Sequence, residues 1–302
     1  MYPSTDEGAA AEFRLKCNTA HMTSFIAWSG ADTHGTSSMY FASDSRISWD
    51  KSGVNRWDTG AKVLASRSHP ELFGYTGYAL LPFTVLTQAC TAIDAGLRDP
   101  QAEKSADGKC DWLWERIKEQ TFAHPVWPGH DFTILYGIRS GCRTYIQRKG
   151  KGNEPPVHED SSPRATFTLY VLTWNAASKS FTSARYPVPH ACSTILRLSG
   201  TGADGIQAAQ DVWLRSPDSG TSRTMFSSLC DALREGGDKQ SGGAPQLVGL
   251  YRKGNGRTIG VVTRAGAFFQ GVPFRSHPGN AVEWRDELFN LVDSQGVSIK
   301  KR

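Results

Sequence analysis

The stretch "HMTSFIAW", residues 21–28, places a Met-Thr pair at the start of a β-strand candidate. A threonine inside a chain is a weak nucleophile. It becomes a strong one as the first residue of a mature chain, because its own α-amino group then serves as the general base. The pair therefore makes Thr23 a candidate nucleophile, provided that the residues before it are removed or never translated.

The segment before this pair shows no pattern of a helix or a strand. Residues 1–21 contain Ala, Ser and acidic residues without a clear period, so residues 1–22 are expected to be a pro-segment, an arm or the product of a mis-assigned start codon. Acidic residues near the front and the lack of an apolar core argue against a secretory signal. The six cysteines are scattered without CxxC or zinc spacing. We therefore expect a cytoplasmic protein with reduced thiols.

The composition of the chain excludes two classes of partner. An apolar content of 39% and a charged content of 21% over 302 residues fit a soluble globular protein. No run of 18 apolar residues is present, so a membrane partner is not expected. The net charge of +5 comes without a dense Lys/Arg cluster, which argues against nucleic-acid binding.

The hydrophobic pattern downstream of residue 22 indicates strands, then two helices, then strands, two helices and strands again. Strands are predicted at residues 23–28, 37–48, 62–65, 72–77, 131–138, 165–174, 245–253 and 257–264. Helices are predicted at residues 82–97, 111–122, 204–214, 221–237 and 281–292. Residues 29–35 read as a hairpin loop, and Phe83, Leu86, Cys90, Ile93 and Leu97 as the apolar stripe of the first helix. This order predicts an α+β fold in one domain, residues 23–302, with a loop insertion near 148–164.

Four stretches carry candidate chemistry besides the strand that begins at Thr23. "ASDSRIS" contains Asp44, "GAKVLA" contains Lys62, "GTG" begins at residue 200, and "DKQSGG" begins at residue 238. Taken singly, each has an ordinary structural interpretation: a turn, a solvated cation, a helix N-terminus with turn glycines, and a loop. Only their order along one chain is specific.

In that order, these stretches resemble the proteasome β-type subunits among the N-terminal nucleophile hydrolases. Within that family, the pattern of motifs is most similar to that of the simple bacterial ring protease that works with an unfoldase ATPase. That family shows Thr, Asp-x-Arg, Lys, an apolar-x-Gly turn, Gly-Ser-Gly before a helix, and Asp-x-x-Ser-Gly-Gly. The likeness runs from Thr23 to about Val262, with Thr201 in the place of the usual Ser and "GYTG" at 74–77 as the turn. Met22 replaces the Gly of self-cleaving subunits, but the simple bacterial subunits also begin Met-Thr.

The resemblance implies a four-layer αββα sandwich, the N-terminal nucleophile hydrolase fold, and a threonine-type peptidase without cofactor or metal. Thr23 would attack the peptide carbonyl, Lys62 would stand beside it as a cation, and Asp44 would hold Lys62. Thr201, Asp238 and Ser241 would orient the α-amine and a water. Gly77 would be the oxyanion donor, Ser48 and Ala79 would pair with the substrate backbone, and the specificity pocket would involve Ile47, Leu64 and Tyr75. The implied partners are peptide or unfolded protein substrates and further copies in a homo-oligomeric ring, with an ATPase as a candidate partner.

Four other interpretations remain open at this point. The same fold serves non-proteolytic amidohydrolases, and an unprocessed chain would be an inactive scaffold. A hydrolase based on Cys17 has no supporting pattern around that residue. A metal site at His34, His124 and His130 lacks ligand spacing.

Overall fold

The computed structural model describes residues 23–50, 52–124, 129–141, 164–189, 192–275 and 281–299. Residues 1–22, Cys17 among them, and nearly all of the predicted insertion near 148–164 therefore lie outside the described residues.

Strands and four helices alternate along this part of the chain in the predicted order. The strands are β1 (Phe25–Asp32), β2 (Gly35–Ser43), β3 (Ile47–Ser48), β4 (Arg56–Trp57), β5 (Val63–Ala65), β6 (Glu71–Gly77), β7 (Phe132–Ser140), β8 (Thr166–Asn175), β9 (Ser180–Pro187), β10 (Thr194–Ser199), β11 (Gln246–Tyr251), β12 (Arg257–Thr263), β13 (Gly266–Phe269), β14 (Val272–Pro273), β15 (Trp284–Asp286) and β16 (Leu291–Val292). The helices are α1 (Leu80–Asp94), α2 (Ala106–Ala123), α3 (Ala203–Trp213) and α4 (Ser222–Glu235), with a 3-10 turn at Ala102–Lys104.

The strands form two large sheets and one short hairpin. The first sheet has nine strands in the order β10-β1-β2-β11-β12-β13-β14, with β15 beside β12 and β16 beside β15. The second has five strands in the order β5-β6-β7-β8-β9, and β3 pairs with β4 alone. Neighbouring strands are antiparallel except β12 and β15, which run parallel.

Three groups of buried apolar side chains stabilise this arrangement. One joins α1 and α2 to the five-stranded sheet, one joins the two sheets, and one joins the nine-stranded sheet to α3 and α4. Strand β2 contributes to two of them: Met39 and Phe41 face the other sheet, while Tyr40 and Ala42 face the helices. Side chains of β2 therefore alternate between the two faces of its sheet, and the chain is a mixed α/β protein.

The prediction of a helix at residues 281–292 was wrong. This segment forms β15, a turn and β16. Trp284 pairs with Gly260 of β12, and the Trp284 ring lies so close to Gly260 that a Cβ there would overlap it. Phe289 contacts the rings of Trp28 and Tyr40. Packing against the sheet therefore overrides the local helical period.

Three smaller predictions also differ from the structure. The loop expected at 29–35 is a two-residue turn at Thr33 and His34, because β1 and β2 pair as far as Asp32 and Gly35. Of the predicted apolar stripe, Phe83 is 38% exposed on α1, and Leu97 is 70% exposed and lies beyond the end of α1 at Asp94. Strands β9 and β10 were not predicted. Strand β9 is an edge strand with six of its eight residues exposed, so it has no fully buried apolar face.

Candidate active site

Thr23 lies immediately before β1, at the point where β1 meets the ends of β2 and β10. Its side chain is 1% exposed, and in this chain its nitrogen belongs to the peptide bond with Met22. The Lys62 ammonium lies 3.2 Å from Thr23 Oγ1. The amide of Gly202 donates to the Thr23 carbonyl at 3.1 Å. Backbone and side chain of Thr23 are thus both held by residues distant in sequence.

Asp44 follows β2 directly opposite the residue after Thr23. Because Phe25 pairs with Ser43, the next residues outward, Ser24 and Asp44, also meet: the Asp44 amide donates to the Ser24 carbonyl at 3.1 Å. The Ser24 amide donates to Asp44 Oδ1, and the amides of Arg46 and Gly242 donate to Oδ2, each at 3.0 Å. Three backbone donors thus converge on a buried carboxylate, which suits its anionic form.

Lys62 completes this group as the fourth donor to Asp44, at 2.8 Å. Burial lowers the pKa of the Lys62 ammonium below its ordinary value, and the negative charge of Asp44 opposes that effect. From the sequence, Asp44 is expected to keep Lys62 a cation. Desolvation is instead the larger effect, so Lys62 gives up its proton more readily than an exposed lysine would.

A second polar group surrounds Asp238. Thr201 Oγ1 donates to Asp238 Oδ2 at 2.5 Å, and Ser241 Oγ donates to the same oxygen at 2.7 Å. The Gln240 amide donates to Asp238 Oδ1 at 2.9 Å, which closes a tight turn between Asp238 and Ser241. The three predicted residues Thr201, Asp238 and Ser241 are therefore in direct contact.

Two glycines bring this second group against Thr23. Gly200 has a φ of +91°, and a Cβ on it would overlap the Thr23 carbonyl oxygen and lie 3.1 Å from Thr23 Cβ. A Cβ on Gly202 would overlap the Ser24 hydroxyl and lie 3.1 Å from Ser241 Oγ. Only residues without a side chain allow this approach, which explains why glycine stands on both sides of Thr201.

Arg46 fastens the loop after β2 to the turn that carries Asp238. Its guanidinium binds both Asp58 oxygens, at 2.7 and 3.0 Å, and donates to the carbonyls of Lys239 and Ser241 at 3.0 Å each. A bidentate pair of this kind has a defined orientation. It therefore helps to fix the position of Ser241 relative to Asp44.

The remaining predicted residues occupy less direct positions. Gly77 ends β6 with a φ of +90°, and the neighbouring Thr76 hydroxyl contacts Ser199, just before Gly200, at 2.9 Å. Ser48 is buried, with its hydroxyl 3.4 Å from the Gln240 carbonyl. Ala79 precedes the first turn of α1 and is partly exposed.

The predicted specificity residues divide between surface and core. Ile47 and Leu64 are partly exposed. Tyr75 is 1% exposed in the core beneath α1 and α2, and its hydroxyl donates to the Ala61 carbonyl at 3.0 Å. Tyr75 thus offers little surface to a substrate, and it supports the residue before Lys62.

Sequence reasoning missed several residues that build the site. Gln246 is buried on β11, where its side chain accepts from the Lys62 amide at 3.0 Å and donates to the Gly60 carbonyl at 2.5 Å. The Ser24 amide binds Asp44, and Asp58 binds Arg46. A glutamine within the apolar run of β11 was the one available signal, because a backbone amide and a loop aspartate leave no mark in a sequence pattern.

The described residues contain no cluster of three or more His, Cys, Asp or Glu side chains that could hold a metal ion. His34 lies in the β1–β2 turn, and His130, just before β7, lies with its ring tilted against Tyr78 at 6.2 Å between centroids. Within the same described ranges, no helix is both long and apolar enough to cross a membrane.

Comparisons with known proteins give distant structural likenesses. No family model and no curated protein matches the chain. Anbu (ancestral beta-subunit) from Yersinia bercovieri is similar with a TM-score of 0.46 and 13% identity over 75% of this chain and 81% of that chain. BPH from Thiobacillus denitrificans in complex with epoxomicin gives 0.43 and 12% over 76% and 99%. Eukaryotic HslV from Trypanosoma brucei gives 0.38 and 8% over 75% and 99%. At these values function has to be inferred from the chain's own residues.

Proposed function

We propose that this chain is a threonine-type peptidase that becomes active when Thr23 is the first residue. The observation that carries the proposal is a buried row of three groups: Thr23 Oγ1, Lys62 Nζ at 3.2 Å, and Asp44 Oδ1 at 2.8 Å from Lys62. A hydroxyl oxygen that accepts a hydrogen bond from a lysine, which is itself held by a carboxylate, is placed so that negative charge developing on the nucleophile is stabilised.

The reaction begins when a free α-amine accepts the proton of Thr23 Oγ1. The amine suits this role because an N-terminal amine has a pKa of about 7.7 to 8.0, near working pH. Oγ1 attacks the peptide carbonyl, the C–N bond breaks, and the accepted proton goes to the leaving amine. A water then hydrolyses the acyl ester and restores the Thr23 hydroxyl. Lys62, hydrogen-bonded to Oγ1, stabilises negative charge that develops there.

The residues around Asp238 are proposed to orient the α-amine and the water. This role is supported by the close approach of Gly200 to Thr23 and of Gly202 to Ser24 and the Ser241 hydroxyl. Thr201 and Ser241 in turn both donate to Asp238. Gly77 is proposed as the oxyanion donor, and Ser48 and Ala79 as partners of the substrate backbone. We assign Tyr75 to positioning Ala61 and Lys62, in place of the substrate contact expected from the sequence.

The fold proposed for this activity is a four-layer αββα sandwich formed by one domain, residues 23–302. Its support is the set of three apolar groups, which link α1 and α2 to one sheet, that sheet to the other, and the second sheet to α3 and α4. We further propose a cytoplasmic homo-oligomeric ring that acts on peptides or unfolded proteins, with an ATPase as a candidate partner.

One observation favours a second function. With the preceding residues attached, Thr23 is 1% exposed and has no free amine. A chain that keeps residues 1–22 is therefore proposed to be an inactive scaffold of the same fold.

The two functions separate in one experiment with three chains: one from Met1, one from Met22, and one from Met22 with Thr23→Ala. Each is purified, its N-terminus is verified by intact mass, and it is assayed on fluorogenic peptides. The peptidase proposal expects turnover only from the Met22 chain, whose initiator methionine is removed. Turnover by a full-length chain with an intact N-terminus would exclude the N-terminal nucleophile mechanism. If all three chains are inactive, the result would favour the inactive scaffold over the peptidase.

A further inference from the structure

A cleft of about 500 Å³ lies next to Arg46, the residue whose backbone amide donates to Asp44. Three cations line it, Arg46, Arg56 and Lys239, together with residues 52–54 of the β3–β4 hairpin and Gly236 at the end of α4. No acidic side chain is among these lining residues.

The cleft shares part of its wall with the Asp238 group. Lys239 is the residue after Asp238, and its carbonyl accepts from Arg46 at 3.0 Å, as does the Ser241 carbonyl. A ligand in the cleft would therefore lie against the same short turn that carries Asp238 and Ser241. This continuity makes the cleft a candidate for the side chain of a bound peptide.

The hairpin wall is held in place by its own hydrogen bonds. Asp50 accepts from the amides of Val54 and Asn55 and from the Ser52 hydroxyl, and the Trp49 amide donates to the Asn55 carbonyl at 2.9 Å. The tip packs on the opposite wall, because a Cβ on Gly53 would overlap the Lys239 carbonyl. The cleft is thus formed before any ligand binds, which lowers the entropic cost of binding.

Three aspartates stand near the cations of the lining, but none of them lines the cleft. Asp58 neutralises Arg46 through its bidentate contact and lies 3.9 Å from Arg56. Asp238 and Asp50 keep their negative charges, and their oxygens accept from hydroxyl and amide donors of their own turns. The end of α4 at Gly236 adds about half a negative charge. The residues that line the cleft therefore carry more positive than negative charge, while the aspartates behind them weaken the attraction for an anion.

We propose that this cleft binds the carboxylate of an acidic side chain in the peptide substrate. The inference rests on the proposed peptidase function and adds a substrate preference to it. Arg56 is 51% exposed, so solvent screens the attraction, and a modest preference is expected. At low ionic strength, we expect kcat/KM for a Glu peptide to exceed that for its Gln counterpart about three- to tenfold.

The kinetic test uses the Met22 chain and paired fluorogenic octapeptides in which a single Glu or Gln is moved through each position. The expected Glu preference appears at one or two positions, shrinks in 0.5 M NaCl, and disappears in the double variant Arg56→Gln/Lys239→Gln. That variant keeps its turnover of neutral peptides. Lys118→Gln on α2, a lysine remote from the lining, is the matched control and keeps the preference. A Glu/Gln ratio near one at every position, or a ratio that the double variant leaves unchanged, would overturn the proposal.

A binding test separates failure of the cleft from failure of the peptidase. The full-length chain with Thr23→Ala is titrated into end-labelled Glu and Gln octapeptides, and fluorescence anisotropy gives each Kd without any turnover. Tighter binding of the Glu peptide that is lost in Arg56→Gln/Lys239→Gln supports the cleft even where no chain cleaves peptides. Equal Kd values for the two peptides would sink the cleft even where the Met22 chain is an active peptidase.

Discussion

The Lys62 ammonium and the Asp44 carboxylate form an ion pair at 2.8 Å in which neither side chain is more than 2% exposed. Asp44 also receives three backbone amides, so its charge is well solvated by the protein. Lys62 has Asp44 and the Thr23 hydroxyl as its side-chain hydrogen-bond partners. The same Lys62 side chain therefore contributes both to the stability of the fold, through Asp44, and to the surroundings of the Thr23 hydroxyl.

Lys62→Ala is expected to remove activity and also to destabilise the fold. Removal of one partner leaves Asp44 buried without its counter-charge, which costs about 3–5 kcal/mol of unfolding free energy. The double variant Asp44→Asn/Lys62→Met should recover most of that loss and remain inactive. Urea unfolding and peptide turnover of both variants check this. A Lys62→Ala chain as stable as the parent would contradict the buried ion pair, and one with unchanged turnover would contradict the role of Lys62.

The Lys62 pair also predicts how stability depends on pH. Burial lowers the pKa of Lys62 in the fold below the ordinary value of 10.5, so the folded chain binds fewer protons at this nitrogen than the unfolded chain does. Between the lowered pKa and 10.5, raising the pH therefore favours folding. Unfolding free energies of the parent minus those of Asp44→Asn/Lys62→Met should rise as the pH increases toward 10. If this difference instead falls over the range, the attraction of Asp44 raises the pKa of Lys62 by more than burial lowers it.

The order of motifs in the sequence singles out Asp44, Lys62 and Asp238, because each follows or begins a strand or turn with a recognisable pattern. It was not enough for Gln246, whose role depends on β11 lying beside β2, a contact between segments about 200 residues apart. The helix predicted around Trp284 was wrong for the same reason, because pairing of Trp284 with Gly260 of β12 decides the structure of that segment. The protonation of Lys62 depends on burial, which a motif does not contain.

Gly200→Ala is expected to disable the site through sterics alone. The residue has a φ of +91°, where a side chain costs about 1–2 kcal/mol, and the added methyl group would overlap the Thr23 carbonyl. Activity should be lost, and the unfolding free energy should fall by about 2 kcal/mol or more. Gly237→Ala is the matched control, because nothing lies within 4 Å of the place that a Cβ on Gly237 would take, and its activity should persist. Equal turnover of the two variants would contradict the close contact at Thr23.

Thr201 is expected to act through its hydroxyl. Its contact with Asp238 is a hydrogen bond to a charged group, which is worth about 1.5–3 kcal/mol. Thr201→Ser keeps the donor and should stay close to the parent, whereas Thr201→Val keeps the shape and should lower kcat/KM about tenfold to hundredfold. Steady-state kinetics and circular dichroism of both variants test this. If Val and Ser behave alike, the hydroxyl has no role in orienting the site.

Thr23 decides the whole mechanism, and Ser and Ala replacements separate its two contributions. In the Met22 chain, Thr23→Ala loses the nucleophile and should lower turnover by at least about three orders of magnitude. Thr23→Ser keeps hydroxyl and amine but loses the methyl group that restricts the rotamer beside Lys62, so kcat should fall about two- to tenfold. Acetylation of the α-amine of the parent should abolish turnover without unfolding, because the hydroxyl then lacks its proton acceptor. If the acetylated chain keeps full activity, the general base would have to be Lys62 instead. Among the described residues, Lys62 is the other amine beside Thr23 Oγ1, and burial lowers its pKa.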